Sequence, residues 1–274
     1  DAMHIYGDDG ATNINDGAQE LEAAGLIPPG ASMFVPSEVV GRTGYLEQEL
    51  TDYKAKNGKL DMAVHYRPTG NDFEIAWNSR FGFGNTIYQG ANRYQLQNFL
   101  MQQHKLEISN DDFFIRGYTT NEKAGDSYDM RFTGINMNKV NAPQWFGTYV
   151  GAYLGGILGG VTSDEAHALG RLTADGAFTP QPGTPEFNRL FNNVTSDNNI
   201  STGSKFEDNT GMLVGEGNYN FKRLLNNVMD LQVGGSYRQY SLDSKGTIMT
   251  DYDGPIKYNE YGAYVQGIKK FADD

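Results

Sequence analysis

Oxygen-bearing side chains near the amino terminus are the first residues whose types could bind a metal. They are Asp8, Asp9, Asn13, Asn15 and Asp16. Ca²⁺ prefers carboxylate and amide oxygens, but an EF-hand loop also needs a Glu at its twelfth position, and that spacing is absent. Such side chains in turns more often bond their own backbone. The sequence therefore predicts no metal site here.

Residue types used in catalysis are present but form no catalytic pattern. No two of the four histidines have metal-ligand spacing: His4, His65, His104 and His167. There is no nucleophile elbow, and the pair Asp111-Asp112 falls in a predicted turn. The run Gly82-Phe83-Gly84 lies within a predicted strand, without the Lys and helix of a phosphate loop. We therefore expect neither an enzyme nor a bound cofactor.

Four aromatic residues at short spacing could hold a ligand: Trp145, Phe146, Tyr149 and Tyr153. Large rings give a loop wide contact area at small entropic cost. They could equally pack this segment against its neighbours, and both interpretations stay open. The glycine-rich run 151–160 has the same two interpretations, a flexible lip over a binding site or a packed helix.

Two arginines, Arg80 and Arg116, are further candidates for ligand binding. Both fall on the polar side of predicted strands, where they could steer a polar solute. A charge in a confined site needs a partner, so these arginines could also form ion pairs with a plug or with charges of the same face such as Glu74 and Glu260.

Composition limits the class of protein. The chain has 274 residues, a formal net charge of -12 and a pI near 4.7, so we expect no nucleic-acid partner. Mean hydropathy is -0.56, too low for a bundle of membrane helices. The 17 Tyr, 15 Phe and 34 Gly favour strands and turns over helices. The absence of Cys excludes disulfides and thiolate metal sites.

The strongest pattern is a two-residue alternation of apolar and polar side chains. Leu60, Met62 and Val64 fall on one side of a strand, and Asp61 and His65 fall on the other. The same phase continues through Phe73, Ile75 and Trp77, with Glu74, Asn78 and Arg80 opposite. In all, the pattern predicts seven strands at 53–67, 73–89, 93–109, 113–137, 211–222, 229–250 and 257–271.

Between the strands, short turns alternate with longer connections. We divide the chain into a loop region at 1–50, strands at 51–137, a long loop at 138–210 and strands at 211–274. In the long loop, Ser163 and Thr184-Pro185 predict helix starts. The alternation of turn lengths is typical of outer-membrane barrels, and by that rule 1–50 and 138–210 lie outside the cell.

Several runs resemble one known family. They are FFIRGYTT (113–120), AGDSYDM (124–130), NTIYQG (85–90) and PIKYNEYGAYVQ (255–266). Together with the alternating pattern of the strands in residues 50–271, they are similar to TonB-dependent outer-membrane receptors of Bacteroidetes type. The resemblance implies an all-β fold, an antiparallel membrane-spanning β-barrel segment with a long, partly helical extracellular loop.

The resemblance also implies a function and partners. Barrels of this family have about 22 strands and a plugged lumen. Seven strands cannot close such a barrel, so we expect a fragment whose partners are outer-membrane lipid, the remaining strands and plug, a small nutrient ligand and an inner-membrane energy-coupling protein. The implied function is energy-dependent uptake of a scarce nutrient such as a metal chelate, oligosaccharide or peptide, at the cell outer membrane.

The alternative is a secreted, soluble β-rich module for glycan binding or adhesion. A soluble module would hide its large apolar residues between sheets, whereas a receptor in lipid would leave them exposed. Leu60, Met62, Phe73, Ile75 and Trp77 are the residues that separate the two hypotheses. A third hypothesis, a membrane-resident hydrolase, needs a catalytic set that the sequence does not supply.

Overall fold

The computed structural model describes residues 4–269 and 271. They form a mixed α/β structure with six α-helices and an eight-stranded antiparallel sheet. The predicted all-β class is therefore wrong. The predicted barrel segment is wrong as well, because among the described residues the sheet has two open edges and does not close. The predicted loop regions contain helices, and these pack around two hydrophobic clusters.

The twelve strands are β1 (Ile5–Tyr6), β2 (Ala11–Asn13), β3 (Val39–Gly41), β4 (Tyr45–Leu46), β5 (Lys56–Tyr66), β6 (Glu74–Gln89), β7 (Arg93–Ser109), β8 (Phe113–Lys123), β9 (Tyr128–Asp129), β10 (Gly211–Asn220), β11 (Asp230–Leu242) and β12 (Ile256–Ile268). The helices are α1 (Ile14–Ala23), α2 (Glu47–Leu50), α3 (Met130–Lys139), α4 (Ala142–Leu158), α5 (Ser163–Phe178) and α6 (Pro185–Ser196), with a 3-10 helix at Ala31–Phe34.

The large sheet has the strand order β12-β11-β10-β8-β7-β6-β5, and β9 pairs with β7. Two further sheets have two strands each, β1 with β4 and β2 with β3. Strands β5 and β6, β7 and β8, and β10 and β11 follow each other directly in the chain and pair antiparallel. Short turns suffice for such neighbours, which explains why these connections are brief.

Strand β8 ends at Lys123, although the sequence predicts a strand to residue 137. Gly125 has a φ of +68°, a left-handed conformation that interrupts an extended chain. Asp129 then accepts hydrogen bonds from the amides of Arg131 and Phe132, which caps the start of α3. Local turn and cap chemistry therefore overrides the alternating pattern in this segment.

The chain forms two compact units. Unit 1 comprises the residues up to 53 together with 87–95 and 128–205, and unit 2 comprises 54–86, 96–127 and the residues from 206 onward.

Unit 1 contains two hydrophobic clusters. One centres on α4, where Trp145, Tyr149, Tyr153 and Leu154 pack with Ile14 and other buried residues. The other joins Met130 and Met137 of α3 to Phe187 and Val194 of α6. The predicted helix starts are confirmed, because α5 begins at Ser163 and α6 at Pro185. Side chains of Thr162 and Thr184 accept amide hydrogen bonds at these two N-termini.

Unit 2 is dominated by the sheet, whose two faces differ in chemistry. The register pairs Leu60 with Phe81 and Val64 with Trp77, and it pairs Asp61 with Arg80 on the opposite face. The predicted division of β5 and β6 between two faces is thus confirmed. The face we call the apolar face carries exposed Leu60, Met62, Val64, Tyr66, Trp77, Phe83, Leu106, Ile115, Leu213, Val233, Tyr261 and Val265.

The face we call the polar face carries the ion pairs of the sheet. Asp61 pairs with Arg80 at 2.9 Å, Arg116 with Glu216 at 2.6 Å, and Arg238 with Glu260 at 2.9 Å. Each pair joins residues that lie directly opposite on neighbouring strands. Cross-strand pairs of opposite charge stabilise a sheet modestly and also fix its register.

Candidate functional site

The four aromatic candidates lie in the core of unit 1. Trp145, Tyr149 and Tyr153 are all buried, with Trp145 0% exposed. The Trp145 ring stacks on Tyr149 at 5.2 Å and meets the edge of Phe146 at 5.0 Å. Phe146 is only partly buried against the same cluster. In this geometry the three buried rings pack the helices, so a ligand at the surface would act on them only through their neighbours.

A charged network surrounds the Trp145 indole. Its Nε1 donates a hydrogen bond to Asp175 Oδ1 at 2.8 Å, and the guanidinium carbons of Arg42 and Arg171 lie 5.3 and 5.8 Å from the ring centroid. Thr43 Oγ1 donates to the second Asp175 oxygen at 2.6 Å. The indole is thus fixed by one carboxylate and two cation–π contacts, which are strongest when shielded from water.

Three members of this network, Thr43, Arg171 and Asp175, line an open groove in unit 1. The groove, of about 670 Å³, lies between residues 43–49 and the segment 168–182. We call it the α5 groove. Its lining includes exposed Leu172 and the two prolines Pro180 and Pro182, beside polar and charged groups that include Glu49, Arg171 and Asp175. Apolar contacts with converging polar groups are features of sites for small molecules.

Burial controls the titration of the groups beneath the groove. It raises the pKa of Tyr45 to about 12, so the phenol stays protonated and donates a hydrogen bond to the carbonyl of Pro180 at 3.4 Å. Burial also lowers the pKa of Arg42, whose guanidinium donates to Asn138 and Thr179. These bonds link the residues 42–45 to α3 and to the end of α5.

Sequence reasoning missed the residues of the α5 groove. Arg171 and Asp175 are separated by four positions on one helix, a spacing that places their side chains on the same face. That spacing was the only available signal. Arg42, Thr43 and Tyr45 come from a distant part of the chain, and no periodicity links them to α5.

The two arginine candidates belong to unit 2. Arg80 uses Nε to bond Asp61, and Arg116 pairs with Glu216 while its guanidinium carbon lies 4.8 Å from the Phe114 ring centroid. The structure therefore places the six candidate residues in two separate groups, the four aromatic residues in unit 1 and the two arginines on the polar face of the sheet.

Three of the oxygen-bearing side chains near the amino terminus, Asp9, Asn13 and Asn15, have structural partners. Asp9 pairs with Arg131 at 3.5 Å, Asn13 caps α1, and the Asn15 amide donates to two backbone carbonyls. Over the part of the chain that the structure describes, no three His, Asp or Glu side chains form a metal-binding group.

Comparisons with known proteins add no identity. No protein-family model matches the sequence, and no curated protein matches it. Among the described helices, none is long and apolar enough to cross a membrane.

Proposed function

We propose that this chain is part of an outer-membrane receptor that captures a scarce nutrient for energy-dependent uptake. The observation that carries the proposal is the apolar face of the sheet. Val64 is 56% exposed and Val265 is 70% exposed, and the other members of this face are exposed with them. Exposed large apolar side chains on every long strand of one face are costly in water, and they favour contact with lipid or protein.

The polar face of the sheet is suited to water, so only the apolar face would contact lipid. Several charges of the polar face are paired across neighbouring strands, as in Arg116 with Glu216 and Arg238 with Glu260. Paired charges tolerate a confined, wet space far better than single ones do. A sheet with lipid on one face and water on the other fits both surfaces.

In this proposal the α5 groove of unit 1 receives the nutrient from the medium. The groove is open, and hydrogen bonds fix its lining residues Thr43, Arg171 and Asp175. Side chains that are already fixed lower the entropic cost of binding. Metal chelates, oligosaccharides and peptides are the ligand classes that follow from uptake of scarce nutrients.

The partners follow from the same surfaces. Outer-membrane lipid covers the apolar face, and further strands of the same receptor pair with β5 and β12, which are the edges of the sheet. An exposed edge strand presents unpaired backbone groups and so favours such pairing. The plug of the receptor and an inner-membrane energy-coupling protein complete the assembly.

The alternative, a secreted β-rich module for glycans or adhesion, fits the exposures less well. Such a module would cover Leu60, Met62 and Trp77 with a second sheet or with helices, but all three are exposed. Phe73 and Ile75 are half-buried and do not separate the two hypotheses.

Fractionation tests the location. The whole receptor, expressed with its export signal in a Gram-negative host, should sediment with outer membranes and resist extraction by high salt. Recovery of the receptor in the medium or the soluble periplasm would contradict the proposal and favour the secreted module.

Binding tests the role of the groove. Ferric citrate, maltohexaose and trialanine, one probe for each ligand class, should be titrated against the purified receptor. Leu172→Glu should weaken binding of whichever probe binds at least tenfold, because it places a charge in the aliphatic wall. Leu26→Glu is the matched control, since Leu26 is 71% exposed and Leu172 73% exposed, and only Leu172 lines the groove. Equal affinity of the probe for Leu172→Glu and Leu26→Glu would show that the α5 groove does not bind the nutrient.

A further inference from the structure

A depression on the polar face of the sheet surrounds Gly82, in the middle of β6. Its volume is about 340 Å³. A Cβ built on Gly82 meets no atom within 4 Å, so the absence of a side chain leaves this space open. The side chains around it are Lys59, Asp61, Arg80, Met101, Gln103 and Thr120.

The register explains why these side chains converge. Lys59 lies directly opposite Gly82, and Asp61 lies opposite Arg80. On the next strands, Gln103 lies opposite Thr120 and donates a hydrogen bond to its hydroxyl at 3.2 Å. All of these positions have the parity of the polar face, so their side chains surround one space.

Charge at the depression is unbalanced. Lys59 has no ion-pair partner among the residues that the structure describes, and Arg80 uses only Nε to reach Asp61 at 2.9 Å. Two cations therefore face one carboxylate. Other cations of this face have carboxylate partners, for example Lys105 with Glu107 at 3.1 Å. A net positive site is unusual in a chain whose formal net charge is -12.

The donors present here match an anionic group. The terminal nitrogens of a guanidinium form a planar fork that suits a carboxylate or a sulfate, and an ammonium adds a second point charge. Met101 supplies an aliphatic contact beside them. The cavity has room for one sugar-sized unit.

We propose that the Gly82 depression binds the acidic group of a solute, a carboxylate or a sulfate ester carried on a sugar-sized unit. The proposal rests on the receptor function and narrows its ligand class to acidic solutes. The anion is bound by the ammonium of Lys59 and the free edge of the Arg80 guanidinium, with Gly82 leaving space for the group that carries it.

Three probes test the chemistry: glucuronate for a carboxylate, glucose 6-sulfate for a sulfate ester, and glucose as the neutral control. Titration calorimetry with the purified receptor should show binding of one or both acids at least tenfold tighter than binding of glucose. Affinity should fall as salt increases from about 0.05 to 0.5 M, because charges at an exposed site are screened over about 4 to 14 Å in that range. Equal binding of glucose, or no binding of either acid, would overturn the proposal.

Two variant pairs test the location. Gly82→Leu fills the depression and should abolish acid binding, whereas Gly215→Leu should leave it unchanged. Gly215 is the matched control because it also lies in a strand with no atom within 4 Å of a built Cβ, on the apolar face. Lys59→Gln should weaken acid binding at least tenfold, and Lys257→Gln should not.

Unchanged acid affinity in Gly82→Leu, with a thermal melt equal to that of Gly215→Leu, would overturn the assignment. The two proposals fail separately. A receptor found outside the outer membrane can still bind glucuronate at Gly82, and a receptor correctly placed in the membrane can lack any acid binding.

Discussion

The two units stabilise themselves in different ways. Unit 1 buries large side chains such as Trp145, Tyr149, Leu50, Met130 and Met137. In unit 2, the only buried hydrophobic residues among those described are Ala76, Ala124 and Val214. Many of its large apolar side chains are exposed, most of them on the apolar face and some, such as Tyr258 and Tyr264, on the polar face. Unit 1 therefore carries its own hydrophobic core, whereas unit 2 consists of a hydrogen-bonded sheet with an exposed apolar face.

The difference has an energetic meaning. Full burial of a Val, Leu, Ile, Phe or Met side chain contributes about 1.5–3 kcal/mol. Trp145 and Tyr149 obtain such a contribution within unit 1, whereas Val64 and Val265 obtain it only when another surface covers them. We therefore expect a core mutation in unit 1 to change the free energy of unfolding equally with and without lipid. The effect of a mutation on the apolar face should depend on whether lipid, protein or water covers that face.

The largest expected effect is at Trp145. Trp145→Ala should destabilise unit 1 by about 3–5 kcal/mol, because it leaves a cavity and removes the shorter of two hydrogen bonds to Asp175 Oδ1. Trp77→Ala is the natural control, since Trp77 is the second of two tryptophans and is 42% exposed. Denaturant unfolding followed by circular dichroism should show a loss for Trp145→Ala that does not depend on lipid. A small effect at Trp145 would contradict a core role for this ring.

A charge on the apolar face should have the next largest effect, and only in lipid. Val64→Arg should cost about 2–4 kcal/mol if the side chain faces hydrocarbon near the bilayer midplane. In water an exposed substitution of this kind changes stability by only about 0.5 kcal/mol. Ala63→Arg, one position away on the polar face, is the control. If Val64→Arg and Ala63→Arg lower the free energy of unfolding in bilayers equally, the assignment of the two faces is wrong.

A pH-dependent effect is expected at Asp129 of unit 1. Burial raises the pKa of its carboxyl, although hydrogen bonds from Asn92 and from the amides of Phe132 and Arg131 oppose the shift. A raised folded-state pKa means that stability is fully present below the unfolded value, near about 4, and is lost as pH rises through the folded value.

Asp129→Asn keeps an acceptor for the α3 amides and removes the buried charge. The stability of Asp129→Asn relative to the parent should therefore increase as pH rises above about 4. Asp129→Ala, which lacks the cap, should lose about 1–2 kcal/mol across the same range. Thermal melts of both variants between pH 3 and pH 7 would measure this. If the difference in melting temperature between Asp129→Asn and the parent does not change with pH, the Asp129 carboxyl does not contribute the expected pH dependence.

The smallest expected effect is at the cap of α5. Thr162 accepts a hydrogen bond from the amide of Glu165, and the Glu165 carboxylate accepts one from the amide of Thr162. Thr162→Ala should cost about 1 kcal/mol. Thr162→Ser retains the hydroxyl and should cost less than half of that. Hydrogen exchange should show the loss in the first turn of α5, and equal protection in the Ala and Ser variants would argue against the cap.

Local patterns in the sequence predicted much of the sheet and some helix starts. The bounds of β7, Arg93–Ser109, match the predicted strand at both ends. The starts of α5 and α6 were predicted from Ser163 and from Thr184-Pro185, although the N-cap of α5 is Thr162, one residue earlier. Alternation also assigned Leu60 and Asp61 to opposite faces, because the pleat of a strand determines this directly.

Features that depend on distant contacts were not predictable in this way. The run 142–158 forms α4 because its aromatic side chains are buried against α1 and α5, and the glycines on that helix carry no local signal for such burial. The α5 groove joins Tyr45 to Arg171 across more than a hundred residues. Gly82 looked like an ordinary strand glycine, and only the cross-strand register shows that Lys59 faces it.

The most direct test of lipid contact uses Trp77 as its own reporter. Trp145→Phe leaves Trp77 as the only tryptophan, at an exposed position of the apolar face. In receptor reconstituted into bilayers, its emission should shift to shorter wavelength, be quenched by lipids brominated on the acyl chain, and resist quenching by acrylamide. Emission at the wavelength of a water-exposed indole, quenched by acrylamide and unaffected by brominated lipid, would contradict lipid contact on this face.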